Sequence, residues 1–275
     1  MQRPLNRGAT SDMAIEPGWC LILGASSGFG AAAARAFAQG GLDVAGVHLD
    51  RRATLPLAEA VVKDVEAAGR RARFWNRNAA DAAQRDAIVA ELGALLRGGP
   101  RVRVLLHSLA FGTLKPLVAD ETKDAVSSVQ LAMTLDVMAT SLVAWTQALR
   151  AANLLEPGGR VFAMTSEGGA RAIPNYGPVG IAKAALEAAV RQLALELAPL
   201  EICANAICAG ITDTAAVRKI PGHDHLLDTA RARNPRGRLT EPGDVAGALV
   251  ALSEPGCGWI SGNVIRVDGG EGITG

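Results

Sequence analysis

One tyrosine and one lysine raise the question of chemistry. Tyr176 is the only tyrosine among 275 residues, and Lys183 follows it by seven positions. Further on, Leu186, Val190, Leu193 and Leu197 recur at spacings of four, three and four, a stripe that predicts a buried helix. Seven residues make almost two turns. A helix starting near Tyr176 therefore puts the phenol and the ammonium on one face, ~10 Å apart along its axis. Such a pair could hold two parts of one long ligand. Taken alone, it reads more readily as a half-buried anchor and a solvated charge. The elements around it decide.

Trp19–Leu23 is a short apolar run that ends in Gly24-Ala25-Ser26-Ser27-Gly28-Phe29-Gly30. An alanine-rich stretch, Ala31 to Gln39, follows and is stopped by Gly40-Gly41. Strand, glycine-rich turn and helix is the order a dinucleotide site needs. Glycines admit the pyrophosphate to backbone amides, and the helix N-terminus adds its dipole. The candidate contacts are Gly24, Ser26, Ser27, Gly28, Phe29 and Gly30. A second strand, from Asp43, ends in Asp50-Arg51-Arg52, where the adenosine ribose is normally met. Asp50 argues for the ribose hydroxyls of NAD, Arg51 and Arg52 for the 2′-phosphate of NADP. Two flexible guanidiniums reach a phosphate from several positions, so the expectation is NADPH, with NADH the alternative. Solvated arginines are the plain reading of the same pair.

Strand and helix then alternate. Helices are expected at Leu57–Ala68, Gln84–Leu96, Val126–Ala151 and Asp244–Leu252. Strands are expected at Arg71–Trp75, Val102–Leu106, Arg160–Met164, Cys203–Cys208 and Asn263–Asp268. That alternation predicts an α/β fold: a Rossmann-like doubly wound parallel sheet with helices on both faces, in a single domain over residues 18–275. Ligands of such sheets sit beyond the carboxyl ends of the strands. The glycine turn, Asn78, the loop from His107 through Ser108, Leu109 and Ala110, Ser166, and Gly210, Ile211, Thr212 and Thr214 all fall on that edge. So does the start of the Tyr176 helix. This convergence favours one site.

Composition sets the outer limits. Apolar residues make up 49% and charged residues 20%, with a net charge of +1 and no basic cluster, so no nucleic-acid partner is expected. No apolar run reaches the ~18–20 residues that span a bilayer, and no membrane association is expected. Residues 1–17 read as a flexible tail. Cys20, Cys203, Cys208 and Cys257 lack metal-ligand spacing and read as free thiols in a reducing cytoplasm. His223-Asp224-His225 supplies two histidines without further ligands, so no metal is expected. The polar stretch around 213–236, broken by Pro221-Gly222, reads as a mobile flap over a substrate.

From Trp19 to the end the chain resembles the short-chain dehydrogenase/reductase superfamily. The glycine turn, the tyrosine and lysine of the central helix, and the closing Ile260-Ser261-Gly262-Asn263 and Val267-Asp268-Gly269-Gly270 carry the likeness. Most members place the tyrosine four residues before the lysine, where this chain has Val179. The longer Tyr176–Lys183 spacing, with Arg171–Tyr176 and Leu106–Phe111, resembles the enoyl-acyl-carrier-protein reductases. The ordinary glycine turn and the segments Ala209–Thr214 and His223–Asn234 resemble their FabL-type branch. The likeness implies that Tyr176, Lys183 and Ser166 are catalytic, with Lys183 also holding the nicotinamide ribose. The implied substrate is an enoyl thioester, carried on acyl carrier protein, and the implied assembly a homotetramer or homodimer. Ser166 stands where many enoyl reductases have an aromatic residue and ordinary members a catalytic serine. Asp136 stands where ordinary members have asparagine, with a structural role or a proton-relay role open to it. Lys183 is expected to lower the phenol pKa. Two other functions remain: a carbonyl reductase with a relocated tyrosine, and a non-catalytic NADP-binding sensor.

Overall fold

β1 (Trp19–Leu23) is buried along its whole length, as a strand covered on both faces must be. Its side chains alternate between two cores: Trp19, Leu21 and Leu23 join one, Cys20 and Ile22 the other. The computed structural model describes residues 15–220 and 222–274. β2 (Asp43–His48), β3 (Ala72–Asn76), β4 (Val102–His107), β5 (Leu155–Thr165), β6 (Cys203–Ala209) and β7 (Val264–Val267) complete a seven-stranded sheet. Its order is β3-β2-β1-β4-β5-β6-β7, and every pairing is parallel.

One face carries α1 (Gly28–Gln39), α2 (Leu55–Ala67) and α8 (Pro242–Leu252), which bury Phe37, Val61, Val65 and Leu249 against it. The other carries α3 (Ala82–Leu95), α5 (Ser141–Ala151) and α6 (Gly177–Leu197), through Leu92, Trp145, Leu186, Val190, Leu193 and Leu197. The stripe read from the sequence is thus the buried side of α6. Each such side chain contributes roughly 1.5–3 kcal/mol when fully buried. The strand order reverses between β1 and β4, which opens a crevice beyond their carboxyl ends.

Three expectations change in detail. α1 starts at Gly28, so Gly28, Phe29 and Gly30 form its first turn rather than a loop before it. Residues 128–151 are one helical stretch of 24 residues, α4 (Ser128–Leu135) and α5 joined by a π turn at Asp136–Thr140. By length and mean hydropathy, 1.2, this stretch could cross a bilayer, contrary to the sequence reading. Its buried residues, Leu142, Trp145 and Leu149 among them, lie in the core against the sheet, and the Trp145 indole donates to Ala79 O at 2.7 Å. It is a core helix. The expected tail lies largely outside the described residues, but its end is held: Ile15 is buried in the core and Glu16 pairs with Arg103 at 2.8 Å.

Candidate active site

The glycine turn is shaped by contacts that only glycine tolerates. Gly24 has φ +92°, and a Cβ there would run into Ser108 O. A Cβ on Gly30 would overlap Gly24 O, so α1 packs close beneath the turn. Gly28, φ +53°, has open space above it, with only Thr214 Cγ2 nearby at 3.8 Å. Ser27 caps α1 without a side-chain hydrogen bond, and no acidic residue stands in the first turn. The free amides of that turn therefore have no protein partner competing for them. An uncovered helix N-terminus under an open glycine cradle fits a pyrophosphate.

Around the cradle, Ser108 is held by its N–H on Leu23 O at 2.9 Å, with Leu109 and Ala110 following on the same edge. Asp50 lies beyond β2, its N–H donating to Asn76 Oδ1 at 2.9 Å and its carboxylate 2.8 Å from His48 Nδ1. Burial works to raise the Asp50 pKa, but hydrogen bonds from the Thr54 and Ser26 hydroxyls and from His48 prevail, and it lies below the ordinary range. Arg51 and Arg52 are exposed. Asn78 spends its side-chain oxygen on Ala80 N at 3.0 Å, a local turn ahead of α3. Phe29 packs its ring against the core and offers only backbone to a ligand. The amide of Ile211 is taken by the buried carboxylate of Glu271 at 3.1 Å, and Thr212 is buried with its hydroxyl on Gly210 O. Thr214 accepts from Val217 N at 3.3 Å.

Across the crevice stand the reactive groups. Asn175 adopts φ +60°, a left-handed turn that asparagine tolerates, and this aims the next residue, Tyr176, from the N-cap of α6. Gly168 gives the Tyr176 ring its place, since a methyl there would overlap it. The Tyr176 hydroxyl lies 3.2 Å from Ser166 Oγ at the end of β5. Burial raises the phenol pKa, and the Ser166 hydrogen bond only partly opposes it. The expectation that Lys183 lowers that pKa is not met, because desolvation dominates around the ring. Lys183 is itself buried and donates to Met164 O at 2.7 Å, leaving two N–H groups free; burial brings its pKa down to about 8. It remains a cation at neutral pH. Val179, at the position usual for a tyrosine, is buried among Met138, Ala182 and Leu114.

Two other sequence candidates make local contacts. Asp136 is exposed and accepts from Thr140 Oγ1 at 2.9 Å across the π turn, a contact that suits a structural role. His107 is fully buried, with Nε2 2.8 Å from Ser141 Oγ. Burial first, then the Lys183 charge, lowers its pKa to about 3, so it is neutral. Sequence reasoning missed His48, Glu271 and Gly168. Only the run Asp268-Gly269-Gly270-Glu271 hinted at any of these. Among the described residues no cluster of three metal-ligating side chains occurs.

A cavity of about 360 Å³ adjoins the phenol, walled by Pro116, Leu117, Ile173 and Ile181. A larger one, about 600 Å³, opens at the opposite edge of the sheet between Arg103, Arg160 and Trp259, away from this chemistry. Residues Val217–Lys219 form a short 3₁₀ turn, and α7 (His223–Arg233) is a polar helix that buries only Ala230. Its far end is fixed by Asn234 Nδ2 on Asp268 O at 2.9 Å and Arg233 on Glu271 O at 3.1 Å.

Comparison with known proteins places this arrangement. The family model described as enoyl-(acyl carrier protein) reductase matches residues 24–271. An NADH enoyl-(acyl-carrier-protein) reductase, FabI, of Enterococcus faecalis is 37% identical over 62% of this chain. The match spans 66% of that relative's length, just under two thirds. An uncharacterized oxidoreductase of Mycobacterium tuberculosis is 32% identical over 91% of this chain and 90% of its own. The structure of an enoyl-(acyl-carrier-protein) reductase (NADH) from Aquifex aeolicus superposes with TM-score 0.82, at 24% identity, over 96% of this chain and 99% of that one. The chain belongs to the enoyl-(acyl carrier protein) reductase family of short-chain dehydrogenases/reductases.

Proposed function

We propose that this protein reduces the 2,3 double bond of an enoyl thioester, the acyl group being carried on acyl carrier protein. The observation that carries the reading is the placement of Tyr176 at the mouth of α6, seven residues before a buried Lys183, with valine where a ketone-reducing tyrosine would stand. A nicotinamide dinucleotide bound in the glycine cradle supplies the hydride, delivered to C3 of the acyl chain. Negative charge then collects on the thioester oxygen, and the enolate would take a proton from solvent at C2 to give the saturated thioester. Tyr176, a phenol kept protonated by burial, donates to that oxygen where the charge forms. Ser166, 3.2 Å from the phenol, donates to the Tyr176 oxygen and so frees the phenol proton for the thioester. Lys183 holds the nicotinamide ribose with its two free N–H groups. The acyl chain lies along Leu117, Ile173 and Ile181. The segment around 213–236 closes over it, swinging about the end fixed at Arg233 and Asn234. Pro221, part of the expected flap, lies outside the described residues.

Of the two cofactors, the anionic Asp50 favours NADH over the NADPH that Arg51 and Arg52 suggest, since a fixed carboxylate accepts from a ribose diol and repels a 2′-phosphate. NADH is also the cofactor in the Enterococcus relative's name. The homo-oligomer fits an exposed edge: Trp259, 98% accessible, precedes β7, the last strand of the sheet, on which Val264 is also exposed.

A second reading, carbonyl reduction, rests on the Ser166–Tyr176 contact, because two converging hydroxyls also suit a ketone oxygen. Oxidation of NADH and NADPH with crotonyl and longer enoyl thioesters, beside a ketone panel, separates the readings. Saturation of the thioester supports the proposal. Turnover of ketones alone replaces it with the second reading, and cofactor binding without any turnover leaves a sensor.

A further inference from the structure

Asp50 is held more firmly than a loop residue at a strand end needs to be. Its backbone is clamped from both sides, its N–H donating to Asn76 Oδ1 at 2.9 Å and its carbonyl accepting from Asn76 Nδ2 at 3.0 Å. Its carboxylate is clamped by His48 Nδ1 at 2.8 Å. An ionised carboxylate only accepts, so the proton of this bond sits on Nδ1.

His48 is in turn immobile. It is the last residue of β2, it is 7% exposed, and its carbonyl accepts from Arg77 N at 2.8 Å. Its ring lies 6.2 Å from that of Phe74, tilted by 50°. Phe74 can approach because residue 46 is glycine: a Cβ there would lie 2.7 Å from the Phe74 ring and 2.8 Å from Ala25. A buried imidazole on rigid strands thus fixes one carboxylate oxygen. The Thr54 hydroxyl and that of Ser26, part of the glycine cradle, also hydrogen-bond the carboxylate. The neighbouring charged side chains Arg51 and Arg52 are exposed.

We propose that His48 is the positioning residue that sets cofactor choice: by fixing the Asp50 carboxylate it makes the site select a ribose diol over a 2′-phosphate. This rests on the reading of Asp50 as the ribose contact. Without His48 the carboxylate keeps only the Thr54 and Ser26 hydroxyls and can turn, and Arg51 and Arg52 can engage a phosphate without facing so firmly fixed an anion beside it. A charge-assisted hydrogen bond is worth ~1.5–3 kcal/mol, so its loss should shift relative affinity by about tenfold or more.

The test is titration of the purified full-length protein with NADH and NADPH, followed by nicotinamide fluorescence, with no substrate present. His48→Leu is expected to lower the preference for NADH about tenfold. His48→Asn, which keeps a donor near the Nδ1 position, is expected to restore it, a rescue that a packing role would not show. Asp50→Asn separates the two levels of the argument. If it leaves the ratio unchanged, the reading of Asp50 fails and the proposal with it. If it shifts the ratio while folded His48→Leu does not, Asp50 reads the ribose unaided and the role of His48 is overturned. Thermal melts by circular dichroism identify variants that have not folded.

Discussion

In the proposed reaction two side chains carry most of the chemistry, and burial tunes them in opposite ways. Desolvation raises the Tyr176 phenol, so it stays protonated through neutral pH as a donor must, and lowers the Lys183 ammonium to about 8. Tyr176→Phe should lower kcat by about 10²–10³, the usual loss for one oxyanion donor. Cofactor affinity, measured by fluorescence titration, should stay unchanged. Lys183 gives a pH signature. As pH rises through about 8 the free enzyme loses this charge, and affinity for the cofactor should fall with a one-proton slope that Lys183→Met abolishes. Stability runs the other way. Below pH 8 the lysine is protonated folded and unfolded, and the cost of burying the cation is fully present. Between about 8 and the ordinary lysine value of 10.5 the unfolded chain holds more protons, so this group makes the protein more stable as pH rises. Chemical denaturation at pH 7.5 and 9.5, in wild type and Lys183→Met, measures the difference.

At the scale of elements, the short 3₁₀ turn Glu167–Gly169 and the start of α6 set where the phenol points. Gly168 is the contact between them, so Gly168→Ala should displace the ring and cut kcat while leaving cofactor affinity intact, a split that steady-state kinetics and titration report together. The buried surroundings of Val179 give a second prediction. Val179→Tyr should not restore the shorter spacing, because the added ring must enter a packed cluster with Met138, Ala182 and Leu114; overpacking of this kind costs ~1–3 kcal/mol, readable as a lower melting temperature. The elements themselves were legible because the patterns that encode them are local: the leucine stripe of α6, the apolar strands, the glycine turn. Their ends shifted by a few residues, since caps and first turns depend on neighbours. The long helix was expected over Val126–Ala151 and runs over 128–151, but the π turn that joins its two halves carries no signal in the spacing of residues. His48, Glu271 and Gly168 were missed for different reasons: the partner of Glu271, Ile211, lies 60 residues away, while His48 and Gly168 meet Asp50 and Tyr176 through side-chain and backbone geometry that no spacing encodes.

For the whole molecule, the fold brings one edge of a parallel sheet to bear on a single crevice, with the cradle of β1 and α1 on one side and Tyr176, Ser166 and Lys183 on the other. That convergence was visible in the order of elements, whereas the choice of cofactor was not. Adjacent Asp50 and Arg51 give opposite signals, and only their different burial separates them. The exposed Trp259, five residues ahead of β7, is the side chain that the proposed homo-oligomer is expected to cover. Trp259→Glu should lower the mass measured by light scattering, and an unchanged mass would place the interface elsewhere. The central claim is that hydride goes to the carbon chain and charge to the thioester oxygen under Tyr176. Its most direct test is the reaction of crotonyl thioester with NADH deuterated at the transferring carbon, followed by mass and NMR analysis of the product. The account predicts butyryl thioester with deuterium at C3, formed far more slowly by Tyr176→Phe. Deuterium at the thioester carbon, or saturation unaffected by the loss of the phenol, would contradict it.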